Sequence, residues 1–439
     1  MANSFCKSVP LPTDDQNRSP WGKKPTPWGN DRRVSQPEQP QTPPASRDSL
    51  TGEFVGLRGR MFMLALKTGL FTVLTLGIYR FWMKTRLRRW YWSAIRVGGV
   101  PLEYVGDPIE KLLGFLVAVV ILAFYIGIVN LLLMFASFSL FQDNFAAYLM
   151  SFIGVIPIWF YAQYRARRYV LARTRWRGLR FGLEPGAWGY AGRALFYWFL
   201  TIISAGLLWP LMTFKLEEYK TNRTSWGTGK LVQGGRWTML YPSAKWVFVG
   251  AIAAAVTAAL VYFGDSQQAS LLPGFIAFVF LSFGLVYYRV DSLRRLTETK
   301  EMGPIQLRFT PSAGRMLGIY VGGYLLATLI MFMILLASGL ATMFAVLGSL
   351  SNLTDFGSRD ITQANTMVLY TIGAVSYFAI FLLWSALTQA FITLPTMRHY
   401  ASVLVLQGRD GLAEIRQRPR DEHIEAEGFA EALDVGASI

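Results

Sequence analysis

The sequence predicts a mainly α, polytopic membrane protein with six spanning helices, two further membrane elements that re-enter or bend, and short antiparallel strands flanking three repeated units on the cytoplasmic side. Three observations predict it. The 439 residues are 53% hydrophobic and only 16% charged, with a mean hydropathy of +0.32, which is apolar for a soluble chain of this size. Apolar runs recur at about 61–79, 112–135, 145–163, 191–214, 246–263, 271–288, 316–347 and 367–394, several of them reaching the roughly 20 residues that a bilayer requires. A unit of strand, Gly-Arg and apolar helix is met three times, through Gly59-Arg60, Gly192-Arg193 and Gly314-Arg315. A repeat that cannot bury its own apolar face packs against its siblings.

Residues 1–50 are rich in Pro, Ser, Gln and Asn, too poor in apolar side chains to offset the entropy of ordering, and predict a disordered cytoplasmic tail. They hold Cys6, the only cysteine, so disulfides within the chain and Cys-based metal sites are excluded. With His399 and His423 the only histidines, a His-rich metal centre is excluded too. The tail lacks the apolar core of a cleavable signal peptide, which leaves insertion to the first membrane element.

The flanks of the runs set the topology. The chain carries 43 Lys and Arg against 27 Asp and Glu, a net +16. Basic residues follow the first run (Arg80, Lys84, Arg86, Arg88, Arg89, Arg96), the third (Arg165 to Arg180) and the fourth (Lys215 to Lys245), whereas the links after the second and fifth have none. Basic short loops stay in the cytoplasm, which places both flanks of the first and fourth runs inside. Those two runs therefore predict re-entrant or steeply bent elements, with helix breaks at Gly77, Gly206 and Pro210. Such breaks are tolerated at membrane depth only where protein or water satisfies the freed backbone. The third copy reads as a full hairpin, out from Met316 to about Leu347 and back from Met367 to Pro395. Eight ordinary spans are the alternative. The units become 51–163, 164–288 and 289–412, followed by a cytoplasmic tail at 413–439, with both termini inside.

Strands are expected beside each unit, at 53–58 and 95–105, at 176–183 and 230–240, and at 305–310 and 402–408, as three small antiparallel pairs at the cytoplasmic surface, either separate or joined into one sheet. The run from Leu74 through Gly77-Ile78-Tyr79-Arg80-Phe81-Trp82-Met83-Lys84-Thr85-Arg86 to Arg89 carries a resemblance. So do Arg173-Thr174-Arg175-Trp176-Arg177-Gly178-Leu179-Arg180-Phe181-Gly182 and the ending Glu427-Gly428-Phe429-Ala430-Glu431-Ala432-Leu433-Asp434-Val435-Gly436. Together they resemble the YjgN-like family of bacterial inner-membrane proteins, over about residues 50–439. The resemblance implies a multi-pass location in the bacterial inner membrane. The family is defined by a domain of unknown function, so no mechanism comes with it. The long hairpin between about 330 and 390 departs from the family's usual shorter third unit.

Chemistry is sparse. Glu103, Asp107, Glu110, Glu217 and Glu218 flank membrane elements and read as solvated loop charges, so the chain is not expected to be an enzyme and no cofactor is implied. The middles of the proposed spans contain no Asp, Glu, Lys or Arg; Asn130, Gln163 and Gln389 read as helix-packing groups. Lys67 lies inside the first run and reads either as a side chain snorkelling to the interface or, with Arg80, Arg86 and Arg89, as a basic pocket for an anionic solute or lipid headgroup. Aromatics interleaved with these cations (Tyr79, Phe81, Trp82, Trp90) fit an interfacial belt better than a nucleic-acid surface. The expected function is a conduit or transporter for a small anionic solute or a lipid. The alternative is a non-transporting scaffold that binds anionic lipid or a partner protein through its basic cytoplasmic face. Anionic membrane lipids are the expected partners and nucleic acid is not; a protein partner and assembly as a homo-oligomer stay open.

Overall fold

The computed structural model describes residues 49–140, 144–263, 268–351 and 358–418. Most of the expected N-terminal tail and the family-like ending at 427–436 lie outside them, as do Cys6 and His423.

The strands are short and form one sheet. They are β1 (Ser49–Phe54), β2 (Ile95–Val97), β3 (Val100–Tyr104), β4 (Thr174–Trp176), β5 (Leu179–Leu183), β6 (Thr224–Trp226), β7 (Gly229–Lys230), β8 (Val232–Gln233), β9 (Lys300–Met302), β10 (Ile305–Phe309) and β11 (Leu404–Gln407). Their order is β7-β6-β5-β4-β3-β2-β1-β11-β10-β9-β8, every neighbour antiparallel. The two end strands are separated in the chain by Leu231 alone, so the sheet rolls into a barrel closed at that residue. Trp226 on β6 and Ile305 on β10 would stand roughly 34 Å apart in a flat sheet at about 4.8 Å per strand, yet they share one apolar cluster.

Alternation along each strand explains the closure. Leu50, Val97, Trp176, Trp226, Ile305 and Leu406 point into the cluster, while the alternate positions carry Glu53 opposite Arg96 and Glu103 opposite Arg175. An apolar face inside and paired charges outside describe a barrel that stands in water. The expected pairs are thus joined into a single sheet, and β6 and β9 fall where no strand is expected. Residues 237–240, expected as strand, form a 3₁₀ turn.

Neighbouring strands bracket helical hairpins. Between β1 and β2 run α1 (Arg58–Leu74) and α2 (Arg80–Ala94); between β3 and β4, α3 (Pro108–Leu140) and α4 (Asn144–Ala172); between β5 and β6, α5 (Ala187–Ile203) and α6 (Trp209–Thr221). Between β8 and β9 run α7 (Tyr241–Phe263) and α8 (Gln268–Glu298). Between β10 and β11 run α9 (Ala313–Ser351), α10 (Ser358–Thr388), a π turn (Gln389–Thr393) and α11 (Leu394–Ser402). Tight turns join the strands at their other ends, so all five hairpins leave one end of the barrel and the turns occupy the opposite end. Among the described residues, Pro108–Ala136, Trp237–Phe263, Ser270–Glu298, Ala313–Phe344 and Ser376–Ser402 are long and apolar enough to cross a bilayer.

Small residues set how closely the helices pack. A Cβ on Gly250 of α7 would stand 2.7 Å from the Leu281 nitrogen, and one on Gly284 of α8 the same distance from the Val247 nitrogen. Only glycine allows the two backbones to touch in this way. In the last hairpin, Pro395 has no N–H to give to the Phe391 carbonyl four residues back, and the helix widens into the π turn just before it. The Gln389 side chain of that turn accepts the Tyr91 hydroxyl of α2 at 3.0 Å, which fastens the last hairpin to the first.

Candidate functional site

The runs at 61–79 and 191–214 each contain a five-residue break between two helices, and the two breaks repeat one another. Leu76 N–H donates to Val73 and Gly77 N–H to Thr72, while Ala205 N–H donates to Ile202 and Gly206 N–H to Thr201. This is the Schellman pattern, in which a left-handed residue lets two amides reach back over the last helical turn. Leu76 (φ 51°) and Ala205 (φ 50°) take the left-handed position, followed by Gly77 (φ 93°) and Gly206 (φ 86°). A hydroxyl then holds the far side: Thr75 Oγ1 accepts Tyr79 N–H at 2.9 Å and Ser204 Oγ accepts Leu208 N–H at 3.1 Å. Pro210 sits in the first turn of α6, where its missing N–H costs nothing.

The tips are apolar and uncovered. Leu76 is 93% exposed, and Leu74, Ile78, Ile202, Ile203 and Leu207 are exposed as well. Beside the first tip, α1 and α2 meet α10 across a groove of about 540 Å³. Val73, Leu76, Tyr377, Phe378, Phe381 and Leu382 supply apolar walls, and Arg80 is the charged residue of the lining. Gly77 borders it with open space where a side chain would stand.

The four cations of the expected basic pocket are not gathered in this groove. Arg80 lines it, but Lys67 is exposed on α1. Arg86 lies over the Tyr79 ring at 5.6 Å, and Arg89 donates to the Gly106 carbonyl at 2.7 Å. A helix that is basic on several sides has distributed its charges among different partners.

Four of the five flanking carboxylates are committed. Asp107 accepts the Ile109 N–H at the start of α3, Glu110 pairs with Arg173, and Glu218 with Lys215 at 2.9 Å. Glu103 is exposed on the barrel's outer face. Glu217 is held by Lys300 at 2.8 Å, Lys220 at 2.9 Å and Arg167 at 3.5 Å, a knot that ties α6 and α4 to β9. Burial pushes its carboxyl up, but the three cations outweigh burial and hold it well below the usual carboxylate range. Burial pushes the Lys220 ammonium down, with Glu217 opposing. Of the polar groups in the apolar runs, Gln163 accepts the Tyr190 hydroxyl at 3.1 Å and Gln389 the Tyr91 hydroxyl, while the Asn130 side chain lies outside the described residues. Among the described residues, no cluster of three His, Cys, Asp or Glu is placed to hold a metal. A second cleft, about 400 Å³ and lined by Arg173, Arg175, Arg180 and Arg418 with Asp107, Glu110 and Glu184, lies outside the barrel wall, its charges largely balanced.

The barrel interior is the feature that sequence reading missed. It holds a cavity of about 230 Å³ whose wall is drawn from β2, β3, β4, β5, β6, β9, β10 and β11. Each strand contributes one to three residues to it, so no local run of the sequence displays it.

No curated protein and no solved structure matches the chain. The family model described as "Bacterial protein of unknown function (DUF898)" matches residues 49–331, from the first residue of β1 into α9. That family is the one the Leu74–Arg89 and Arg173–Gly182 segments resemble. The chain belongs to this bacterial family of unknown function.

Proposed function

We propose that the protein is a lipid-binding conduit of the bacterial inner membrane, and that the groove between the first hairpin and α10 holds an anionic phospholipid. The observation that carries the reading is a single cation, Arg80, in a mainly apolar groove beside an exposed apolar tip. Apolar walls accept acyl chains, and a guanidinium offers five N–H donors in a fork that suits a phosphate alongside its other contacts. The same walls disfavour a small hydrated anion, whose desolvation they would not offset.

The topology supports this setting. On this reading α3–α4, α7–α8 and α9–α10 make six spans, while α1–α2 and α5–α6 dip into the membrane and return as re-entrant units. Their helices support it, since α1 and α5 have 17 residues each, about 25 Å at 1.5 Å per residue, and each turns back at an apolar tip. β1 and β11 are neighbours, so both described ends of the chain leave from the barrel. Basic residues on α2, α4 and α8 near the barrel favour the cytoplasmic side for it and for both termini. The scaffold reading shares the groove and differs in moving no lipid.

The test is lipid retention by the protein in liposomes of mixed anionic and zwitterionic phospholipid, followed by purification and lipid mass spectrometry. The native protein is expected to enrich anionic phospholipid and Arg80→Gln to lose that enrichment at least fivefold. Equal retention of both lipid classes by the native protein would sink the proposal. Retention without lipid movement between leaflets in a reconstituted assay would favour the scaffold.

A further inference from the structure

We infer that the barrel lumen is a binding site for one fatty acyl chain, floored by the protein's own C-terminal segment. It deepens the lipid reading but stands on a separate cavity, so either can fail alone. Val97, Trp176, Phe181, Trp226, Ile305 and Leu406 line the space from opposite sides of the ring. The polar residues of its wall are Lys300 and Glu301, and the Lys300 ammonium is committed to Glu217.

The chemistry of the wall selects the occupant. Water in a cavity needs two to four polar partners, and apolar cavities of this order stay dry. A helix is about 10–12 Å across with its side chains, too thick for 230 Å³. A strand cannot be added, because a closed ring has little free edge to pair with. What remains is a slender apolar molecule, and each methylene moved from water into such a wall strengthens binding about fourfold. The bilayer around the hairpins is a reservoir of such chains.

The turn end of the barrel is shut. Gly411 packs against Pro304 between β9 and β10, and Leu412 and Ile415 join the lumen cluster. Arg416 then accepts the Thr228 N–H at 2.9 Å and donates its own N–H to Thr228 Oγ1 at 3.1 Å. Gln417 Oε1 accepts the Arg180 N–H at 3.1 Å. The segment thus crosses the turn end of the barrel from β10 to β5, which leaves the helix side, toward the membrane on this reading, as the route by which an acyl chain would enter.

The experiment uses the full chain in liposomes with a trace of a 12-carbon fatty acid bearing a diazirine near its end, or a phospholipid carrying the same chain. After irradiation, the labelled residues are mapped by mass spectrometry. Label is expected on inward residues such as Phe181 and Leu406, not on outward Arg180 and Gln407, and it should fall at least tenfold when excess unlabelled chain competes. Leu307→Trp, which narrows the cavity, should lower lumen label while leaving label in the Arg80 groove. The competition arm needs no variant, so it stands even if Leu307→Trp fails to fold. Labelling by only one probe identifies the source as free fatty acid or phospholipid. If neither probe marks the inward residues, or competition leaves their label unchanged, the inference falls whatever the groove does.

Discussion

At the scale of single residues, Glu217 does more than its neighbours. It is one carboxylate serving three cations, contributed by α4, α6 and β9, and it is depressed well below its ordinary value of 4.5. A depressed carboxylate stabilises the fold above the ordinary value and loses that contribution as pH falls from there toward the folded value. Glu217→Gln should therefore cost about 3 kcal/mol or more, the usual result of leaving buried cations without their partner, and should flatten the acid limb of stability. The measurement is the thermal midpoint in detergent between pH 7 and pH 3. Parallel acid limbs in the native and variant proteins would show that Glu217 does not set the limb. The residue was visible in the sequence as one of several flanking acids, but nothing local distinguished it, because Lys300 lies 83 positions away.

At the scale of elements, the two helix breaks pose a question of strain. Leu76 and Ala205 occupy a left-handed position that side chains with a Cβ adopt at a cost of about 1–2 kcal/mol. Ala205→Gly should then raise stability by up to about 1 kcal/mol, read as a higher midpoint in thermal unfolding. A lower midpoint would mean that the cost of glycine's freedom in the unfolded chain prevails. The breaks were legible in the sequence because Gly77 and Gly206 interrupt apolar runs with basic residues on both flanks. The long apolar helices were legible because length and hydropathy alone declare them. Strands of two to six residues lie below the length at which alternation is convincing, and Thr224-Ser225-Trp226 or Lys300-Glu301-Met302 shows no pattern by itself. Lys67, Arg80, Arg86 and Arg89 read as one pocket because they share a region of sequence, whereas in the fold Arg80 lines the groove, Arg86 lies over Tyr79, Arg89 reaches the Gly106 carbonyl and Lys67 is exposed.

At the scale of the whole molecule, the ring is closed by residues from opposite ends of the chain: Leu50 pairs with Leu406, and Leu231 closes the other seam. No sequence pattern announces such pairing, which is why the barrel itself was not foreseen. If the C-terminal segment is the barrel's floor, ending the chain after Glu414 should open the lumen. A Met302→Cys probe in a Cys6→Ser background should then react with an impermeant thiol reagent at least tenfold faster, and an unchanged rate would show that the floor lies elsewhere. The pairing of the first strand with the last also has a consequence for how the protein is made. β1 leaves the ribosome before any hairpin is made, yet one of its edges finds a partner only when β11 emerges, after all five described hairpins. Until then the nascent ring carries exposed strand edges of the kind that invite mispairing. Closure of the ring therefore waits for β11, and a polypeptide halted anywhere before residue 404 displays an unclosed edge that cellular proteolysis can distinguish from the finished protein.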